Sequence, residues 1–145
     1  MIGAPPRIRP ARAADADALA RLLGQLGYPA AGTDVARRLE RMMGSGHATV
    51  LVAEQDGEVV GLATFHLMHV LNRARTVAWL TALVVDEAAR GVGIGRALVD
   101  GVEAFAREAG CERLSVTTQE FRTEAHAFYA RLGFEHTGRR FAKPL

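Results

Sequence analysis

The chain has 145 residues, 49% hydrophobic and 23% charged, the proportions of one globular domain rather than of a disordered segment. Eighteen basic side chains nearly balance sixteen acidic ones, and the basic residues fall in short, interrupted clusters (Arg37, Arg38 and Arg41; Arg73 and Arg75; Arg139, Arg140 and Lys143). Nucleic-acid binding calls for a denser basic stripe with interleaved aromatics, so it is disfavoured. No stretch approaches the ~20 uninterrupted apolar residues of a membrane span, and residues 1–10 hold no apolar core of signal-peptide length. The lone Cys111 allows no internal disulfide and supplies no thiolate metal site. The expectation is a single domain over residues 1–145, in a reducing cytoplasm, without metal, membrane or nucleic acid.

In chain order, Ile8 to Pro10 reads as a short edge strand ended by the proline's missing donor. Asp15 and Asp17 open a helix carrying Leu19, Leu22, Leu23 and Leu26 at helical spacing, and Gly27 stops it. Thr33 or Asp34 caps a second helix with Val35, Leu39, Met42 and Met43 on one face, closed by Gly44-Ser45-Gly46. Thr49 to Ala53 and Val59 to Met68 read as strands joined by a hairpin at Gln55-Asp56-Gly57-Glu58. Arg75 to Val85 is apolar on both faces, as a central, doubly covered strand would be. Ile94, Leu98, Val102 and Phe105 share one face of a helix ended by Gly110; Glu112 to Thr118 is a strand, Thr123 to Leu132 a helix, and Phe134 to Phe141 a last strand. This order predicts a mixed sheet with helices on both faces.

The most informative stretch is Leu83 to Leu98, in which a buried strand runs through Arg90-Gly91-Val92-Gly93-Ile94-Gly95-Arg96 into an amphipathic helix. Glycines let backbone N–H groups approach a ligand, and a helix start offers unpaired donors and the positive end of its dipole. Together these suit a phosphate or pyrophosphate. The spacing is neither a dinucleotide-binding fingerprint, since the sixth position from Gly91 is Arg96, nor a P-loop, since no lysine precedes Lys143. Taken alone, R-x-x-G-x-G is equally a strand–helix junction with glycines for close packing.

The segment Ala125-His126-Ala127-Phe128-Tyr129-Ala130-Arg131-Leu132-Gly133-Phe134 weighs for the first reading. Thr123 caps this helix, Ala125, Phe128 and Leu132 face inward, and Gly133 stands where a left-handed cap belongs. With Arg90-x-x-Gly93-x-Gly95 upstream and one strand between, the chain resembles the GNAT superfamily of acetyl-CoA-dependent N-acetyltransferases over essentially its whole length. The resemblance implies an α+β fold with a mostly antiparallel sheet, splayed central strands and helices on both faces. It further implies that the backbone of Leu83, Val84 and Val85 pairs with the pantetheine arm, with an N–H near Leu83 facing the thioester oxygen. The N–H groups from Gly91 to Arg96, through Val92, Gly93, Ile94 and Gly95, would hold the pyrophosphate beside Arg90.

Tyr129 matches the family's general acid, which would protonate the departing thiolate. Arg122 stands where the family often has asparagine, and is expected to reach a cofactor phosphate instead. For the base that deprotonates the amine, Glu120 is the first candidate, then His126 and His66, each with an ordinary structural reading beside it. Cys111 reads as a core residue, and His66-x-x-His69 as no metal site, because that spacing on a strand points the rings to opposite faces. The resemblance would build the acceptor pocket from Gly27 to Thr33, His66 to Arg75 and His136 to Arg140, a mostly basic rim that favours amines also carrying an anionic group. The expected function is acetyl transfer to a primary amine of a small molecule, by direct attack in a ternary complex, with a homodimer plausible. The alternatives are a non-catalytic acyl-CoA-binding module of the same fold and a protein N-terminal or lysine acetyltransferase.

Overall fold

The structure is a computed structural model and describes residues 4–118 and 123–145. In chain order these form β1 (Arg7–Pro10), α1 (Ala16–Leu26), α2 (Gly32–Ser45), β2 (Ala48–Gln55), β3 (Glu58–Met68), β4 (Val77–Val85), α3 (Ile94–Glu108), β5 (Arg113–Val116) and α4 (Thr123–Arg131). One-turn 3-10 helices precede α1 (Ala13–Asp15) and follow β4 (Glu87–Ala89). The chain divides into two compact units, one up to Ser115 and one from Val116 onward.

The strands lie in one sheet in the order β1-β2-β3-β4-β5, with β1 through β4 antiparallel. The hairpin between β2 and β3 turns on Asp56 and Gly57, both at positive φ, the two-residue turn whose twist matches its strands. Side-chain alternation then assigns the faces. Val50 and Val52 of β2, Leu62 of β3 and Val84 of β4 close against Leu19 and Leu22 of α1 and Val35 and Leu39 of α2. Val59 joins them because the register shifts between Ala53 and Glu54, so that Val60 is an extra residue and Val59 keeps the phase of Leu62. The other face belongs to α3. A Cβ built on Gly61 would lie 3.0 Å from Leu98 and 3.4 Å from Ile94, and Phe65 meets Phe105 edge-on at 5.2 Å. Each fully buried side chain, such as Leu22, Leu62, Leu80 or Leu98, contributes roughly 1.5–3 kcal/mol.

One buried charge cluster ties the first strand down. Arg9, 7% exposed, donates to both carboxylate oxygens of Asp15 (2.9 and 3.0 Å) and to Glu54 (2.6 Å), and Asp15 also accepts from the Arg12 N–H at 2.7 Å. These bonds hold the carboxyls of Asp15 and Glu54 below their ordinary values.

Several expectations need correction. Ala31 rather than Thr33 or Asp34 is the N-cap of α2, and Met43 is exposed while Val35 and Leu39 are buried. β4 is doubly covered only in its first part: Thr81 is exposed and Leu83 and Val85 are half-buried. In the second unit, α4 ends as expected, with Phe134 N–H bonded to Tyr129 C=O around Gly133. The strand expected over Phe134 to Phe141 is absent among the described residues. Phe134 and Phe141 stand seven residues apart, on opposite faces of any strand, and Phe141 is 91% exposed. No common apolar face offsets the entropy of ordering that segment.

Candidate active site

β4 carries an irregularity on its way to the glycine turn. Its register against β3 shifts between Thr64 and Phe65, which pair with Ala82 and Leu80, so Thr81 is the extra residue of a β-bulge. The Thr81 hydroxyl lies 2.7 Å from that of Thr64 and donates to the Thr64 C=O at 3.2 Å. On the other edge β5 supplies only four residues beside the nine of β4, and the Glu112 N–H donates to Thr76 C=O at 2.9 Å, just before β4 begins. At four residues, β5 is too short to pair along the whole of β4.

Past β4 the chain is pinned before it reaches the glycines. Asp86 accepts from the Ala88 N–H at 3.0 Å and pairs with Arg21 of α1, and Gln25 of α1 accepts from the Glu87 N–H at 3.0 Å. Those contacts, led by the Ala88 N–H, keep the Asp86 carboxyl below its usual range. Arg90 folds its Nε back onto the Val85 carbonyl at 3.0 Å, while Arg96 is exposed.

The glycine turn itself is open. Gly91 and Gly93 have φ of +86° and +88°, which only glycine adopts without strain, and a Cβ on either would meet nothing within 4 Å. Gly93 is the N-cap of α3; it offers no side-chain cap, and no acidic residue stands in the first turn. The first N–H groups of α3 thus lack both an intrahelical acceptor and a carboxylate. This is a positively polarised set of donors with space beside it that a Cβ would fill, and it fits a phosphate or pyrophosphate.

In the second unit, Tyr129 lies on α4 edge-on to Phe128 (5.3 Å) and Phe134 (5.6 Å), and burial pushes its phenol up to about 12. Glu120 and Arg122, expected as base and phosphate ligand, lie outside the described residues. His126 is exposed on α4. His66 is half-buried on β3, paired with Trp79 of β4, on the face it shares with Thr64. His69 is bonded through Nδ1 to the Thr76 hydroxyl at 3.2 Å. Cys111 is half-buried where α3 ends, and loss of solvent raises its thiol above the ordinary value, the opposite of an activated nucleophile. Among the described residues no three His, Cys, Asp or Glu side chains converge as metal ligands, and no helix is long and apolar enough to cross a membrane.

Sequence reasoning located the glycine turn but missed the bulge with its threonine pair. It also missed the Arg21–Asp86 tie between residues 65 apart.

Comparison with known proteins accords with this geometry. The profile of the Acetyltransferase (GNAT) family matches residues 17–134. An aminoglycoside N(6′)-acetyltransferase type 1 of Stenotrophomonas maltophilia is 35% identical over 143 residues, covering 96% of this chain and 92% of that protein. An aminoalkylphosphonate N-acetyltransferase of Salmonella typhimurium is 37% identical over 94 residues, 65% of this chain and 61% of that protein. An aminoglycoside N-acetyltransferase solved in complex with CoA has the same fold, at a TM-score of 0.85 over 100% of this chain and 99% of that one, with 20% identity. The mixed α+β architecture, the glycine turn at the head of α3 and the span of the match lead to one family: the chain belongs to the GNAT acetyltransferases, which use acetyl-CoA.

Proposed function

We propose that this chain, as one catalytic domain, transfers the acetyl group of acetyl-CoA to a primary amine of a small molecule by direct attack in a ternary complex. The observation that carries this reading is the uncapped start of α3, with Gly91 and Gly93 both left-handed before it. The N–H groups from Gly91 through Val92, Gly93, Ile94 and Gly95 to Arg96 would hold the pyrophosphate, with Arg96 adding charge. The Arg90 side chain, by its bond to Val85, fixes the path of the loop rather than reaching forward. The backbone of Leu83, Val84 and Val85 would take the pantetheine amides along the part of β4 that β5 leaves open, with an N–H near Leu83 facing the thioester oxygen. When bound, acetyl-CoA supplies an activated carbonyl and a thiolate leaving group.

Tyr129 is the proposed acid. Held near 12, its phenol stays protonated at neutral pH and is a weaker acid than a thiol of ~8.5. It acts by donating a hydrogen bond from Oη as charge develops on sulfur. Glu120 is the proposed base and Arg122 a further phosphate contact, both on motif position alone. The names of two relatives, one acting on aminoglycosides and one on aminoalkylphosphonates, support a small-molecule acceptor. The free Cys111 suits work in the cytoplasm.

The test follows CoA thiol release with kanamycin, 2-aminoethylphosphonate, glucosamine 6-phosphate and a lysine-bearing peptide as acceptors. Turnover with one of the three small amines is expected. Turnover with the peptide alone, or with none of the four, overturns the reading.

A further inference from the structure

The hydroxyl pair at the β4 bulge has a hydrogen-bond polarity that can be worked out from its geometry. Each threonine hydroxyl has one proton and two lone pairs. The Thr81 hydroxyl donates to the Thr64 carbonyl at 3.2 Å, because a carbonyl only accepts. Its proton is then committed, so in the 2.7 Å contact between the two oxygens Thr64 must be the donor. Both protons are used within the pair, and what the two oxygens present to their surroundings is lone pairs alone.

The location gives this polarity a use. Thr64 continues the row of Leu62 along β3, and Ala82 beside Thr81 packs at the border of the α1–α2 core. Thr81 is exposed there and Thr64 half-buried. The bulge also stands at the point of β4 from which the strand runs toward the glycine turn, beyond what four-residue β5 can cover in full. A group docked on the pair lies next to the proposed path of the acetyl donor along β4.

We infer that the Thr64–Thr81 pair is the docking point for the acceptor's amino group: a patch that only accepts hydrogen bonds, taking two N–H donors of the amine and aiming the nitrogen lone pair along β4. The inference rests on the acetyl-transfer reading and deepens it. It gives the reacting nitrogen hydrogen bonds but no charge, so discrimination between amines falls to the rest of the acceptor. Because the polarity depends on the bulge placing Thr81 beside the Thr64 carbonyl, the hydroxyl matters and the methyl group does not.

The experiment compares wild type with Thr81→Val, which keeps the shape and removes the oxygen, and with Thr81→Ser, which restores it. Acceptor KM and kcat are measured with kanamycin and with 2-aminoethylphosphonate, and acetyl-CoA affinity separately by calorimetry. The expected result is an acceptor KM raised about tenfold in Thr81→Val, recovered in Thr81→Ser, with acetyl-CoA affinity unchanged. Thr64→Val should show the same pattern. A wild-type KM in Thr81→Val, or a defect that serine does not rescue, overturns the inference. Failure of the wild type to bind acetyl-CoA at all would instead remove the acetyl-transfer reading beneath it, and the inference with it.

Discussion

Replacing Gly93 by alanine separates what the glycine does for the fold from what it does for the cofactor. The free protein has room for the new methyl, since nothing lies within 4 Å of a Cβ at this position. The cost to folding is therefore conformational: an L-residue held at φ +88°, ψ +10° loses about 1–2 kcal/mol. For a chain of this length, with an unfolding entropy of roughly 0.3 kcal/mol per degree, Tm should fall by about 3–7 °C. The cost to cofactor binding is separate, because the methyl stands in the space where a pyrophosphate would meet the N–H groups. Loss of one or two charge-assisted hydrogen bonds is worth about 2.7 kcal/mol, or roughly a hundredfold in affinity. Acetyl-CoA at a hundred times its Kd stabilises wild type by about 2.7 kcal/mol, a rise in Tm of about 9 °C. At the same concentration the variant is only half-saturated, its stabilisation is about 0.4 kcal/mol, and its Tm should rise by about 1 °C. Thermal unfolding with and without acetyl-CoA reads both effects in one titration. A variant with a lowered baseline Tm but an undiminished 9 °C response would show that Gly93 serves the turn and not the ligand.

Two further predictions concern the buried polar groups. Tyr129→Phe should lower kcat by roughly a hundredfold and leave the acetyl-CoA-induced rise in Tm intact; loss of both together would make Tyr129 a packing residue. The same variant should lack the tyrosinate absorbance step near pH 12. With its folded value raised, the Tyr129 contribution to stability is whole below about pH 10 and is lost between about pH 10 and 12. Asp15→Asn leaves Arg9 buried with Glu54 as its remaining anionic partner and should cost about 3 kcal/mol, near 10 °C in Tm, by urea or thermal melts. Because the Asp15 carboxyl is held low, that difference should be full above about pH 5 and shrink as acid protonates the folded carboxyl; a gap that persists in acid would refute the ion-pair account.

The parts of this molecule that were legible in its sequence are those where one residue type is forced by the backbone. Asp56-Gly57 announces its hairpin and Gly91 and Gly93 announce the turn because few other residues tolerate positive φ. The helix faces of α1 and α3 were readable from apolar spacing. The bulge at Thr81 was not, because Thr81 lies within a run of β-branched and apolar residues and no local pattern says where a register slips. The strand expected over Phe134 to Phe141 failed for the reverse reason: pairing is a property of the partner and not of the segment. Of the candidate site, the cofactor half was readable because it is made of glycines. The proposed acceptor contact depends on side chains brought together across strands, as Thr64 and Thr81 are, and such meetings leave no trace in spacing along the chain.

A cradle built from N–H groups stores its specificity in dihedral angles. Val92, between the two left-handed glycines, is 68% exposed, and in the proposed phosphate site it would contribute its amide rather than its side chain. On the proposed reading, sequence can drift at such a position without touching the cofactor, and the Thr81 bulge can drift independently of it. With the site as proposed, the architecture would divide heredity in two: a backbone-encoded module that accepts the same acetyl donor under many side-chain changes, and a side-chain-encoded one free to explore new amines while the first keeps working.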